Sequence, residues 1–288
     1  MNKKWLVGLV VCLMGISPVW ADQTLSAKKV DQLPVLDGKA ADAAWSVAPA
    51  IKTKDLMTGE EVTLKAVYNQ DSLAILVQFA DKVENRAHKL QFWDETTKQY
   101  LTGPQREDSF VLKWSMEGDP VDLSLSSDTP CKADVWFWKA HRTDHAGYAD
   151  DKMDIYSVSS LPQSKKRLSK KGNLFYLVRL GDVGEPAYEG AVFDEFVKPE
   201  MPGFIFRQPS GSRADIRAKG VWQQGMWTIE LGRKLQTGHM DDVQFTTQRR
   251  YQFGLSINEI AGREPDPTAE NPLFGTGEVG ENLTLVFE

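Results

Sequence analysis

Residues 62–81 read VTLKAVYNQDSLAILVQFAD. Apolar and polar residues alternate as far as Tyr68, the pattern breaks at Asn69-Gln70-Asp71-Ser72, and Leu73, Ile75, Val77 and Phe79 then resume it on one face. Period two puts successive side chains on opposite faces of a strand, and an Asn/Asp/Ser break marks a turn. The stretch therefore predicts a β-hairpin with one buried face.

Working outward, similar short runs occur at 109–114, 121–125, 134–140, 174–180, 216–222, 227–231, 251–259 and 283–287. Gly, Pro, Asn and Asp separate them, and no long segment carries a 3.6-residue period. That spacing predicts an all-β fold: an antiparallel β-sandwich with a few short helices and long loops. The helical candidates are 40–47, 83–92 and a turn at 233–235. Segment 182–209 carries Pro186, Pro199, Pro202 and Pro209 and reads as an ordered long loop wrapping the sandwich. The cationic run 164–172 (SKKRLSKKG) reads as a solvated loop, with a linker or docking patch as the alternative.

Composition bounds the function. In 288 residues, 41% hydrophobic and 26% charged sit near globular averages, which removes disordered, collagen-like and multi-span membrane classes. A formal charge of -6 opposes phosphate backbones, so nucleic acid is excluded as an expected partner.

Residues 1–21 read as a secretory signal: Lys3 and Lys4, an apolar run over 5–16, then Val19-Trp20-Ala21 as a cleavage site before Asp22. A retained anchor is the alternative, but that run is short of the roughly 20 residues a span needs. The expected mature chain is one domain, 22–288, in the periplasm of a Gram-negative bacterium, with no membrane span. Cys12 leaves with the signal and Cys131 remains. Without Cys-x-x-Cys-His, a covalent c-type haem is excluded, as is a cysteine-rich zinc site.

The segment richest in chemistry is 131–154, CKADVWFWKAHRTDHAGYADDKMD. Cys131, His141, His145 and Met153 are all donors that iron or copper accepts, set among Trp136, Trp138 and Tyr148. Strand alternation places Trp136, Trp138 and Ala140 on one face and Phe137, Lys139 and His141 on the other. One face would pack and the other would offer ligands. The alternative is that the tryptophans are core and the histidines are surface groups. Asp150, Asp151 and Asp154 offer oxygen ligands to a cation, or form a solvated acidic turn. Nucleophile elbows, phosphate loops, His-Glu-x-x-His and dinucleotide fingerprints are absent. Glu107-Asp108 and Asp241-Asp242 are acid pairs with no catalytic context, so no enzymatic role is expected.

Several stretches together resemble one family, the haem-binding domain of the ethylbenzene dehydrogenase gamma-subunit type, related to haem subunits of dimethylsulfide, selenate and chlorate reductases. The opening LPVLDGKAADAAWSVAPA (33–50) resembles a start shared with family 9 carbohydrate-binding modules. QFAD (78–81), REDSFVLKW (106–114) and DVWFWKAHRTDHAGYADD (134–151) resemble its strands. SRADIRAKGVWQQGMWTIELGRKLQTGHMDDVQF (212–245) resembles its Gly-x-Trp, Arg-x-Leu and Asp-x-x-Phe signature. The resemblance implies a sandwich holding a non-covalent b-type haem through methionine and lysine, exchanging electrons with a molybdenum oxidoreductase subunit or a cytochrome. It departs from the family pattern at both ligands. Cys131 stands nearest the family methionine, and the loop after 251–259 has neither lysine nor histidine. The replacement metal donors are His141 and His145, then Met153 and Cys131, with Met116 and His239 behind them. Lys139 and Arg142 are the expected propionate partners. Two rivals stand beside this: a carbohydrate or small-ligand module stacking sugars on exposed Trp136 or Trp138, and a family member that has lost haem.

Overall fold

The computed structural model describes residues 23–118, 121–257 and 278–288. Residues 1–22, which include the expected signal segment, 119–120 and 258–277 lie outside them. The hairpin forms as β3 (Glu61–Tyr68) and β4 (Ser72–Ala80), in register from Val62↔Phe79 to Tyr68↔Leu73. Asn69 makes the turn: its Oδ1 accepts the N–H groups of Asp71 and Ser72, both at 2.9 Å. Short polar side chains that satisfy turn amides in this way are why such residues punctuate strands.

The remaining strands are β1 (Gln23–Lys29), β2 (Ile51–Lys54), β5 (Gln91–Asp94), β6 (Gln99–Thr102), β7 (Ser109–Ser115), β8 (Cys131–Lys139), β9 (Asp150–Ser157), β10 (Lys165–Leu168) and β11 (Leu174–Gly181). Then come β12 (Tyr188–Gly190), β13 (Glu200–Met201), β14 (Phe204–Phe206), β15 (Arg217–Gln223), β16 (Met226–Lys234), β17 (Tyr251–Ile257) and β18 (Leu283–Phe287). A single helical turn, α1 (Ala44–Val47), precedes β2.

One hydrogen-bonded path runs β10-β11-β9-β8-β7-β17-β18-β1-β3-β4-β16-β15 and doubles back on itself. The β8 half faces the β4 half across one core. Phe79 stacks on Phe110 with centroids 6.0 Å apart, and Trp138 meets Trp227 edge-on at 4.9 Å. The core includes Leu25, Leu64, Trp114, Trp136, Ile229 and Leu285, so both ends of the described chain contribute to it. β1 departs from the antiparallel expectation, pairing parallel with both β18 and β3. The β15–β16 turn uses Gln224 (φ 52°) and Gly225 (φ 80°) between paired Gln223 and Met226. Positive φ at both central residues matches the right-handed twist of the flanking strands.

Three expectations fail for local reasons. Segment 121–125 forms no strand, because the Gln252 side chain engages both the N–H and the C=O of Val121 at 2.8 Å in place of a neighbouring backbone. Segment 83–92 forms no helix: Asp81 Oδ1 accepts the Val83 N–H at 3.0 Å, Asp108 Oδ2 accepts that of Asn85 at 2.7 Å, and the chain then enters β5. Arg233 and Lys234 end β16 instead of turning. The cationic run supplies β10, where lysine side chains cover a sheet edge. The loop 182–209 is ordered as expected and carries β12, β13 and β14. Among the described residues, no helix is long and apolar enough to cross a membrane.

Candidate functional site

β8 alternates as its sequence predicts. Trp136 and Trp138 face the shared core with no exposure. Trp136 packs on Trp114 at 5.3 Å, and Trp138 Nε1 donates to Asp144 Oδ1 at 2.9 Å. Their expected role as an accessible wall for a sugar or porphyrin is corrected here. Both rings are consumed in holding the two layers together.

The opposite face carries Phe137 and Lys139. Lys139 Nζ donates to Asp150 Oδ2 at 2.5 Å and to Tyr188 Oη at 2.7 Å, and Arg213 donates to Asp150 Oδ1 at 2.6 Å. Burial pulls the Lys139 ammonium down to about 8, against the charge of Asp150, which raises it. Burial opposes ionisation of Asp150, but Lys139 and Arg213 outweigh it and hold that carboxyl below its usual range. Arg142 is likewise committed. Its Nε pairs with Glu107, whose Oε2 also accepts the N–H groups of His141 (2.7 Å) and Arg142 (2.8 Å). The guanidinium lies 5.0 Å from the Tyr188 ring and 5.1 Å from that of Phe204. Lys139 and Arg142 thus pair with protein carboxylates here, where the sequence reading assigned them to propionates. His88, next to Glu107, stays neutral: burial and the neighbouring Arg142 push it down to about 2.

The proposed donors do not converge as a set. Cys131 opens β8 and His141 follows its other end, so a strand rise of roughly 3.3 Å per residue puts them more than about 25 Å apart. Burial pushes the Cys131 thiol up to about 12, where it is a poor source of thiolate. Met153 pairs with Asp134 in the β8–β9 register, far from both histidines. His141 and His145 do come together, around Phe206. The His145 ring stacks on it at 3.8 Å and His141 meets it edge-on at 5.2 Å, with His141 Nε2 buried and unpartnered. His239 Nδ1 sits 2.5 Å from Asp215 Oδ2, and that hydrogen bond raises its pKa. Alternation splits the acidic trio: Asp150 and Asp154 face the lysine side of the sheet and Asp151 faces the inner side.

A donor ranked low in the sequence borders open space. Met116, just beyond β7, lines a cavity of about 490 Å³ together with Glu117, Asp242, Arg249, Arg250 and Tyr251. Arg249 lies 5.7 Å from the Tyr251 ring. A thioether could hold a haem iron, and two guanidiniums could pair with its two propionates. The lining residues fit that much of a haem and supply no second soft or imidazole donor. The Arg-Arg pair directly before β17 was the sequence signal that could have pointed here.

The strands define a β-sandwich module with a cavity beside Met116. Residues 18–259 match the ethylbenzene dehydrogenase family, and the chain belongs to it. A comparison with the curated proteins finds none that matches. Among solved structures, the chain is similar to a family 9 carbohydrate-binding module from Caldicellulosiruptor kristjanssonii in complex with glucose. Identity is 10%, with 92% of this chain and 96% of that one covered, at a TM-score of 0.41. The same module with cellotriose gives 12% identity, 92% and 95% coverage, and a TM-score of 0.41.

Proposed function

We propose that this chain is an exported, periplasmic electron-transfer module that binds one non-covalent b-type haem and serves a molybdenum oxidoreductase or a cytochrome. Membership of the ethylbenzene dehydrogenase family across 18–259 carries the reading, and the cavity beside Met116 supports it. The haem supplies one-electron redox chemistry. The chain's part is to offer the Met116 thioether, to offset propionate charge with Arg249 and Arg250, and to pack Tyr251 against the group. No bond-making step is assigned to the protein. The acidic net charge favours docking onto a basic partner face, an effect on association rate that salt weakens. The pyridine haemochrome spectrum of the exported protein tests this. A b-type spectrum supports the reading, and a colourless chain from haem-replete cells that takes up no added haemin ends it and leaves a family member without haem.

The carbohydrate reading keeps one observation, at a place different from the one the sequence indicated. Trp93, Tyr100, Phe193 and Phe196 form an aromatic cluster on β5, β6 and the long loop, with Trp93 edge-on to Tyr100 at 5.1 Å and to Phe196 at 5.3 Å. Phe196 is exposed. Retention on a polysaccharide column, lost on Trp93→Ala, would favour it over the haem reading.

A further inference from the structure

Four aspartates meet on the inner side of the β8–β9 pair, away from the lysine-lined face. Asp134 on β8 and Asp242, in the connection after β16, share Arg233, whose Nη1 donates to Asp134 Oδ2 at 2.6 Å and to Asp242 Oδ1 at 3.0 Å. Asp134 Oδ2 also accepts the Val243 N–H at 2.9 Å. Asp151 enters this group from β9 with no exposure, and neither of its carboxylate oxygens meets a donor. Asp182, directly after β11, is buried with both oxygens unpartnered, and its backbone N–H reaches the Asp151 carbonyl at 3.2 Å. Asp134 Oδ1 and Asp242 Oδ2 are unpartnered too. Six buried carboxylate oxygens therefore lack a donor, and one guanidinium stands against four acids.

Such an arrangement is costly unless something positive fills it, because each buried carboxylate must be paired, protonated or bound to a cation. The spacing favours a cation. Asp134, Asp151 and Asp242 each offer an oxygen within 4.8 Å of the others, and Asp182, Asp241 and Asp242 do the same. Two oxygens on one calcium ion at about 2.4 Å lie at most about 4.8 Å apart, and calcium takes 6–8 oxygen ligands. The donor set contains no sulfur or imidazole, which disfavours zinc and copper. Asp242 also lines the Met116 cavity, which opens a route for the ion. Without an ion the acids resist charging: burial and mutual repulsion push Asp242 up to about 7 and Asp182 up to about 8, and raise Asp151 well above the usual range.

We propose that Asp134, Asp151, Asp182 and Asp242 form a binding site for one hard divalent cation of the calcium class. The ion ties β8 and β9 to the segments that follow β11 and β16. The site borders the Met116 cavity through Asp242, and the proposal does not rest on haem being bound there.

The test uses the full exported chain, stripped with EGTA and passed to metal-free buffer at pH 7.5. Millimolar CaCl₂ should raise Tm by about 5 °C or more, by the linkage of ligand binding to stability. Calorimetric titration should show about one calcium per chain, bound at least tenfold more tightly than magnesium. Asp151→Asn removes a ligand and a repelling charge together. It should melt no lower than the stripped wild type and gain less than about 1 °C from calcium. Asp182→Asn provides the same comparison should the first variant fail to fold. A wild type that neither shifts nor binds calcium at 5 mM overturns the proposal and leaves shared protons as the occupants. An Asp151→Asn variant that keeps the full calcium response overturns it equally.

Discussion

Arg233 on β16 and Asp134 on β8 meet at 2.6 Å across the sandwich, and neither side chain has any exposure. The guanidinium is enclosed further by Trp136 at 4.9 Å and Phe245 at 5.1 Å, and its Nη2 bonds the Val243 carbonyl. Burial opposes its charge, while Asp134 and Asp242 hold its pKa up. One ion pair thus fastens the two layers in a place where water cannot compensate either partner.

Arg233→Met should therefore destabilise the protein by about 3–5 kcal/mol, because it leaves buried carboxylates facing one another without a counter-charge. Adding Asp134→Asn should recover part of the loss, since a neutral amide removes one of those charges. Urea denaturation of the single and double variants measures both. A cost below about 1 kcal/mol for the single change would show that the pair is dispensable.

The same acids set a pH dependence in chelator. Asp242 titrates at about 7 and Asp182 at about 8 in the fold. Asp108 is pushed to about 8 by burial and by Asp81, which shares the Trp227 N–H with it at 3.1 Å. All three are raised above their unfolded values, so the folded state holds the extra protons. Their contribution is complete below about pH 4 and is lost as pH rises through 7 to 8. His88 acts oppositely, since it is depressed to about 2 and costs stability below about 6.5. Lys139, depressed to about 8, adds stability only above that pH. Tm in EGTA should consequently fall between pH 6.5 and 8, and a flat or rising profile there would contradict these assignments.

Asp144 predicts a third effect. Its Oδ1 accepts Trp138 Nε1 at 2.9 Å and the Gly220 N–H at 2.7 Å, and its Oδ2 takes Arg86 at 3.0 Å and Lys219 at 2.9 Å. Asp144→Ala should cost about 3 kcal/mol or more, because it strands buried donors as well as removing a charge. Gly220→Ala probes the same spot through volume. An added Cβ would lie 2.3 Å from the Trp138 ring, which is held on all sides, so a loss of about 1–3 kcal/mol is expected. Chemical denaturation checks both, and an alanine at 220 without cost would mean that the Trp138 ring can move.

What the sequence made legible was period and chemistry along one strand at a time. The β3–β4 hairpin and the two faces of β8 followed from alternation, and the resemblance stretch 212–245 contained Arg233, Asp242 and Phe245, which do converge on Asp134 and Trp136. Their common job is fastening layers, which motif spacing could not reveal. Segment 121–125 has the composition of a strand, yet its partner is the Gln252 side chain, about 130 positions away. The acidic site was hidden for the same reason. Asp134 and Asp151 are diagonal cross-strand neighbours, offset by two residues in the β8–β9 register, and Asp182 and Asp242 arrive from separate connections. Only the Asp150-Asp151-Asp154 trio looked like a cation site in one dimension, and strand alternation divides it.

The Met116 cavity and the histidine pair make opposite predictions for a haem-loaded chain. His145 is stacked on Phe206, and its Nδ1 lies 3.2 Å from the His141 carbonyl, so ligation would have to dismantle that packing. His141 Nε2 is the serious rival, being buried without a partner. Burial also lowers the pKa of His145, which keeps its imidazole neutral and chemically able to bind metal. Their positions differ: Met116 borders open volume beside two arginines, and the histidines border Phe206. With haem bound, Met116→Ala should shift the reduced absorption bands, and Arg249→Ala with Arg250→Ala should weaken haemin binding at least tenfold, roughly the loss of two charge-assisted contacts. The paired change His141→Ala and His145→Ala should leave the bands in place. If that paired change abolishes the Soret band while Met116→Ala does not, the iron sits at Phe206 and the cavity assignment is wrong.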